Sequence, residues 1–208
     1  DLQNAAIVVS LFSLSLILRA LFLGNTFQSS GNAWLAFKIL KNSGYTWIIR
    51  EYYGALINVY VKFFVAFLSF LGLTITEFWW KVPIAIIGSV QASLTYLFLK
   101  RRVHCSNLGA VAGGFVVCIL PIHVFESRYV WGYEVLAVFF VTLAIWSLVN
   151  FFEKPTTGSG ILASFFSGLY LISHGYILPF TPMIAAIVLL FARAKGGGIV
   201  AQVTFGIK

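Results

Sequence analysis

Long apolar runs follow one another along this chain with almost no charge inside them. Residues 5–23 read AAIVVSLFSLSLILRALFL; residues 78–99 open on FWWKVP and end against Lys100; residues 107–122, 130–152, 161–174 and 176–193 continue the series. About 20 apolar residues coiled as an α-helix match the hydrocarbon thickness of a bilayer. The chain is 60% apolar and 10% charged, where soluble chains carry about 25% charged residues, so an ordinary soluble domain is excluded. The expectation is an all-α integral membrane protein with about six transmembrane helices, plus one or two interfacial helices in the first external loop.

The net charge of +8 fits basic residues that face lipid headgroups. No basic stripe interleaved with stacking aromatics occurs in a polar setting, so no nucleic-acid partner is expected. Cys105 and Cys118 lack metal-ligand or disulfide-framework spacing; Cys118 reads as a core residue and Cys105 as a loop thiol. The N-terminal run is too long for a signal peptide, and no small-residue cleavage site follows it. The chain opens on Asp1 and stops at Lys208 soon after a span. Residues 1–208 are therefore expected to be a single transmembrane domain, the N-terminal part of a longer chain.

Charge orders the spans. Arg19 interrupts the first near its end, where a long side chain can snorkel to the interface. Within the external segment 24–77, residues Asn32–Ser43 place Trp34, Phe37 and Leu40 on one helical face, as in a helix lying at the surface. Residues 54–73 are long enough to cross, yet Asn58 and Lys62 share a face. If they do not cross, Lys100-Arg101-Arg102, Lys154 and Arg193/Lys195 fall on one side, which the positive-inside rule makes cytoplasmic. If they do cross, the same loops face outward, so the interfacial reading is preferred. The N-terminus is then cytoplasmic, in a plasma (inner) membrane. Residues 24–77, 123–129 and the break near 174–176 share the extracytoplasmic surface. Small residues in 107–122 and 161–174 (Gly109, Gly113, Gly114; Gly160, Ser164, Ser167, Gly168) predict close helix packing.

Polarity concentrates in His123–Glu134, HVFESRYVWGYE. The chain has six acidic residues, and Glu134 lies just inside a span, where a carboxylate costs a few kcal/mol. It either has a task or pairs with Arg128, which lies six residues earlier and would need a non-helical turn around Gly132. His123 and His174 have no zinc-site spacing.

Three ordered segments resemble the N-terminal half of the GT-C type membrane glycosyltransferases, the polyprenyl-phosphate-sugar-dependent enzymes that include protein mannosyltransferases and lipid A aminoarabinose transferases. The first is Tyr52-Tyr53-Gly54-Ala55-Leu56 with the apolar helix ending Phe70-Leu71-Gly72. The second runs from Glu77-Phe78-Trp79-Trp80-Lys81-Val82-Pro83 to Lys100-Arg101-Arg102. The third runs from Pro121 to Trp146, with Ser127-Arg128 and Glu134 before Phe139-Phe140-Val141-Thr142-Leu143-Ala144. The break Ser173-His174-Gly175-Tyr176 is similar to a step between two helices of that family.

The resemblance implies transfer of a sugar from a polyprenyl-phosphate donor to an extracytoplasmic acceptor, among membrane lipids and with protein partners in a membrane complex. Glu134 and Glu51 are the catalytic candidates it implies, as acceptor base or ligand of a divalent cation. Arg128, His174, Tyr176 and Tyr53 are the substrate-binding candidates, with Arg128 and His174 at the donor phosphate. Each has a plainer reading: a structural ion pair for Glu134, snorkelling for Arg128, a solvated loop charge for Glu51, and a backbone-satisfied histidine for His174. One departure stands out. The family's first external loop carries an acid, whereas here Phe27-Gln28-Ser29-Ser30-Gly31-Asn32-Ala33 has none, nor does any position between Asp1 and Glu51. That favours the alternative of a catalytically degenerate GT-C-like subunit acting as a scaffold. A transporter or channel is the weaker third reading, because few intramembrane polar groups stand out.

Overall fold

The computed structural model describes residues 2–21, 23, 55–73, 77–128 and 133–173, among which there is no strand. Among these residues seven helices follow in order: α1 (Leu2–Ala20), α2 (Ala55–Phe70), α3 (Glu77–Arg101), α4 (Asn107–Ile119), α5 (Pro121–Glu126), α6 (Tyr133–Glu153) and α7 (Thr157–Ser173). Among the described residues three stretches are long and apolar enough to cross a membrane: Leu2–Ala20, Lys81–Arg101 and Glu134–Glu153. Helices α4 and α7 are apolar but shorter. The expected span 176–193 and surface helix Asn32–Ser43 lie outside the described residues.

Helix α3 is the centre of the bundle, packed on α1, α4 and α6, while α7 packs chiefly on α6. Cross-links between α1 and α3 give their relative direction. The Tyr96 hydroxyl donates to Asn4 Oδ1 and Ser93 Oγ donates to the Val8 carbonyl at 2.7 Å, so the start of α1 lies beside the end of α3. Helix α6, by contrast, runs parallel to α3, since Gln91 meets Thr142, Phe98 meets Trp146 and Arg102 meets Glu153. Leu11, Ala92, Tyr96, Ala110 and Cys118 form one buried cluster between α1, α3 and α4. Gln91 Nε2 donates to Thr142 Oγ1 at 2.9 Å and ties α3 to α6; such polar links glue helices where lipid offers no hydrophobic drive to associate. Large apolar side chains such as Phe63, Phe70, Leu108, Ile161 and Phe165 face outward, as in a surface that meets lipid rather than water.

The basic loops share one end of the bundle. Arg102 Nη1 meets Glu153 Oε2 at 2.6 Å and its guanidinium sits 5.8 Å from the Trp146 ring, which places Lys100–Arg102 beside Lys154. The pair is partly exposed, so its contribution is about 1 kcal/mol at most.

Several expectations are corrected. The single span over 107–122 is two helices, because Pro121 has no N–H and disfavours helical geometry in the residue before it. Leu120 accordingly sits at ψ 114°, and α4 covers about 20 Å at 1.5 Å per residue. Helix α2 has 16 residues and stops before Gly72, whose φ of 69° a glycine adopts without strain. Close packing at small residues holds for Gly114, where a Cβ would lie 2.8 Å from Leu11 and 3.1 Å from the Ala92 carbonyl. On α7 a Cβ at Gly160 would lie 3.3 Å from Phe151, whereas one at Gly168 would meet nothing within 4 Å among the described residues, and Ser164 is exposed. Lys81 of the FWWKVP opening is fully buried, with Nζ 3.3 Å from the Leu23 carbonyl.

Candidate functional site

The end of the bundle opposite the basic loops gathers the polar side chains of α1, α3, α5 and α6. Arg19 organises it, and here the expectation of a snorkelling side chain is overturned, since Arg19 is fully buried. Its Nε donates to Ser127 Oγ at 3.1 Å. Nη1 donates to the Ser15 carbonyl at 3.1 Å, to Ser15 Oγ and to the Cys118 carbonyl at 3.5 Å. Nη2 donates to the Val117 carbonyl at 3.3 Å.

The carbonyls explain the burial. In a continuous helix the Val117 carbonyl would accept from the N–H of residue 121, but residue 121 is proline. The last carbonyls of a helix have no partner within it, and they carry the negative end of its dipole. Arg19 satisfies both needs at once. A guanidinium with five donors in a fixed fork suits this better than a lysine ammonium. Gly88 on α3 makes room for it: a Cβ there would collide with Ser127 Oγ and lie 2.9 Å from Arg19 Nε.

Ser127, held by Arg19, donates in turn to the His123 carbonyl at 2.5 Å. Arg128 follows it directly. Its Nη2 donates to the Leu18 carbonyl on α1, so Arg128 is anchored on backbone rather than on Glu134. Its Nε is buried and has no hydrogen-bond partner among the described residues, and the same holds for His123 Nε2. A buried polar atom with an unmet bond is costly.

Glu134 sits in the first turn of α6, where a carboxylate is favoured by the helix dipole. It shares a hydrogen bond with Glu126. Burial pushes the Glu126 carboxyl up, and this outweighs the hydrogen bond with Glu134, which pulls it down. Among the described residues no group of three or more His, Cys, Asp or Glu assembles.

Of the residues expected at a site, Arg128 and Glu134 fall at this end of the bundle. Glu51, Tyr53, His174 and Tyr176 lie outside the described residues. Glu126, His123 and Arg19 belong to the site without having been expected there. A signal for Arg19 was present: Ser15 lies one helical turn before it, and Pro121 announces unpaired carbonyls that a buried donor could meet.

The imidazole of His123 is held down to about 4, first by burial, then by the charge of Arg19, against a smaller opposing effect of its hydrogen bond to the Gly88 backbone. In the fold it stays neutral while the unfolded chain takes up a proton below about 6.5. Its contribution to stability is therefore complete above pH 6.5 and is lost as the pH falls toward 4, by at most about 3 kcal/mol. Glu126, raised in the fold, works in the opposite sense and gains stability on acidification. The difference between wild type and His123→Gln isolates the histidine. In thermal unfolding in detergent from pH 7.5 to 4.5, the variant should gain on wild type as the pH falls; parallel curves would show that His123 stays accessible to protons.

Comparison of the chain with protein-family models, curated proteins and solved structures finds no match.

Proposed function

We propose that this chain is a membrane glycosyltransferase of GT-C type, with about six spans, that moves a sugar from a polyprenyl-phosphate donor to an extracytoplasmic acceptor. The observation that carries the reading is the convergence of Arg128, with its unmet Nε, on the same end of the bundle as the Glu126–Glu134 carboxyl pair. A phosphate has acceptors for a guanidinium's parallel donors, and a carboxylate beside it can take a proton from an acceptor hydroxyl. With Lys100–Arg102 and Lys154 cytoplasmic by the positive-inside rule, these groups face the extracytoplasmic side of a plasma (inner) membrane, and the N-terminus is cytoplasmic.

In the proposed step the acceptor oxygen forms a bond to the anomeric carbon of the sugar while its proton passes to Glu134. The bond from that carbon to the phosphate oxygen breaks. Polyprenyl phosphate leaves with one more negative charge, which Arg128 meets. Arg19 touches neither reactant in this scheme: it positions Ser127 and through it Arg128.

The scaffold reading is favoured by one feature, the acid-free first loop between Asp1 and Glu51. The two part in a single experiment. The chain, purified with any partners it retains and placed in proteoliposomes, is given labelled polyprenyl-phosphate hexose or pentose and assayed for transfer or release of polyprenyl phosphate. Turnover above protein-free vesicles supports the enzyme. A defined complex that neither binds nor turns over the donor sinks it and leaves the scaffold.

A further inference from the structure

At the basic end of the bundle, Asn4, Ala5 and Val8 of α1 and Leu97 and Arg101 of α3 line a groove of about 290 Å³. Its polarity is graded along its length. Arg101 and Asn4 stand at the mouth, while Leu97 and Val8 lie four residues deeper on their helices, about 6 Å at 1.5 Å per residue. Arg101 is exposed and makes no hydrogen bond or ion pair among the described residues, whereas Arg102, one residue on, is engaged with Glu153 and Trp146. The helical turn explains the division. Consecutive residues point about 100° apart, so one arginine turns to α6 and the other to α1. Asn4 is held at the mouth by the Tyr96 hydroxyl.

We infer that this groove binds an anionic phospholipid, with the headgroup phosphate on Arg101 and part of an acyl chain against Ala5, Val8 and Leu97. Charge complementarity selects the occupant: the cytoplasmic leaflet is anionic, and a basic residue at its surface contributes attraction that a zwitterionic headgroup forfeits. The groove lies at the lower edge of ligand-pocket sizes, about 300 Å³, so it takes a chain segment and leaves the headgroup at the rim. The inference is independent of the transferase reading, because the groove and the carboxyl pair occupy opposite ends of the bundle.

The test is native mass spectrometry of the full chain in a neutral detergent, with phosphatidylglycerol and phosphatidylcholine of matched acyl chains at equal concentration. Phosphatidylglycerol adducts should dominate. Arg101→Gln should lower the ratio of the two adducts by about fivefold, the effect of one basic residue at a membrane surface. Ala5→Trp, at an exposed position, should reduce both adducts by filling the groove, and millimolar inorganic phosphate should leave them unchanged. Equal retention of the two lipids by wild type, or an unchanged ratio in Arg101→Gln, overturns the inference. So does displacement by inorganic phosphate, which would make this a site for free anions rather than for lipid.

Discussion

Replacing Arg19 by Met should destabilise the protein by about 3 kcal/mol, even though it removes a buried charge. Two effects compete. The guanidinium is desolvated, and relieving that cost favours the variant. Against this, the variant strips partners from the Val117 and Cys118 carbonyls, each worth about 1–3 kcal/mol when left buried and unpaired, while Ser127 Oγ keeps its bond to the His123 carbonyl. The second effect wins because Pro121 forbids the helix from repairing the Val117 carbonyl itself. A double-mutant cycle tests this cause. In a Pro121→Ala background, residue 121 regains an N–H that can reach the Val117 carbonyl, so Arg19→Met should cost at least 1 kcal/mol less there, beyond the error of additivity between sites. Arg19→Lys should restore little, since one ammonium cannot span acceptors on α1, α4 and the turn after α5. Thermal unfolding of the four proteins in one detergent supplies the numbers. Equal costs in both backgrounds would show that Arg19 is not there for the proline break.

Glu134→Gln should lower turnover of a polyprenyl-phosphate sugar by about 10²–10⁴-fold, the usual worth of a positioned general base, with the unfolding midpoint within a degree or two of wild type. The amide keeps the shape and a hydrogen bond to Glu126 but cannot take a proton. Glu126→Gln sharpens the test. An amide at 126 can still donate to Glu134, so most of the activity should survive. A loss equal to that of Glu134→Gln would assign the chemistry to the pair rather than to Glu134. Retained activity in Glu134→Gln would remove it from the proposed step. Arg128 is separable by a different readout: its loss should weaken binding of polyprenyl phosphate more than it weakens binding of an uncharged polyprenol.

Much of the fold was legible because apolar runs report burial in lipid directly. The runs at 5–23, 78–99 and 130–152 correspond to α1, α3 and α6, each within a few residues. The run at 107–122 misled because hydropathy is blind to backbone geometry. Pro121 is apolar enough to sit inside a hydrophobic window, yet it ends α4 two residues earlier and starts a new helix. The site was legible in part. Glu134 stood out as a carboxylate near hydrocarbon, and Arg128 as a cation beside it. Arg19 was misread for a physical reason: a lone arginine four residues from the close of an apolar run snorkels when lipid surrounds it. Whether lipid or protein surrounds it depends on the partners of α1, which no local pattern reveals.

Composition and periodicity thus settled that the chain is helical and built of segments apolar enough for a membrane, and that its loop cations cluster between particular apolar runs, because these follow from the chemistry of each segment taken alone; of the six spans expected there, three among the described residues are helices long and apolar enough to cross. Contacts between segments remote in the chain settled the rest. Arg19 meets Ser127 across 108 positions, Arg128 meets Leu18 across 110, and the absence of a side chain at Gly88 lets them meet. A buried charge is tolerable only where oxygens from other helices surround it, and that surrounding exists only once the bundle has closed.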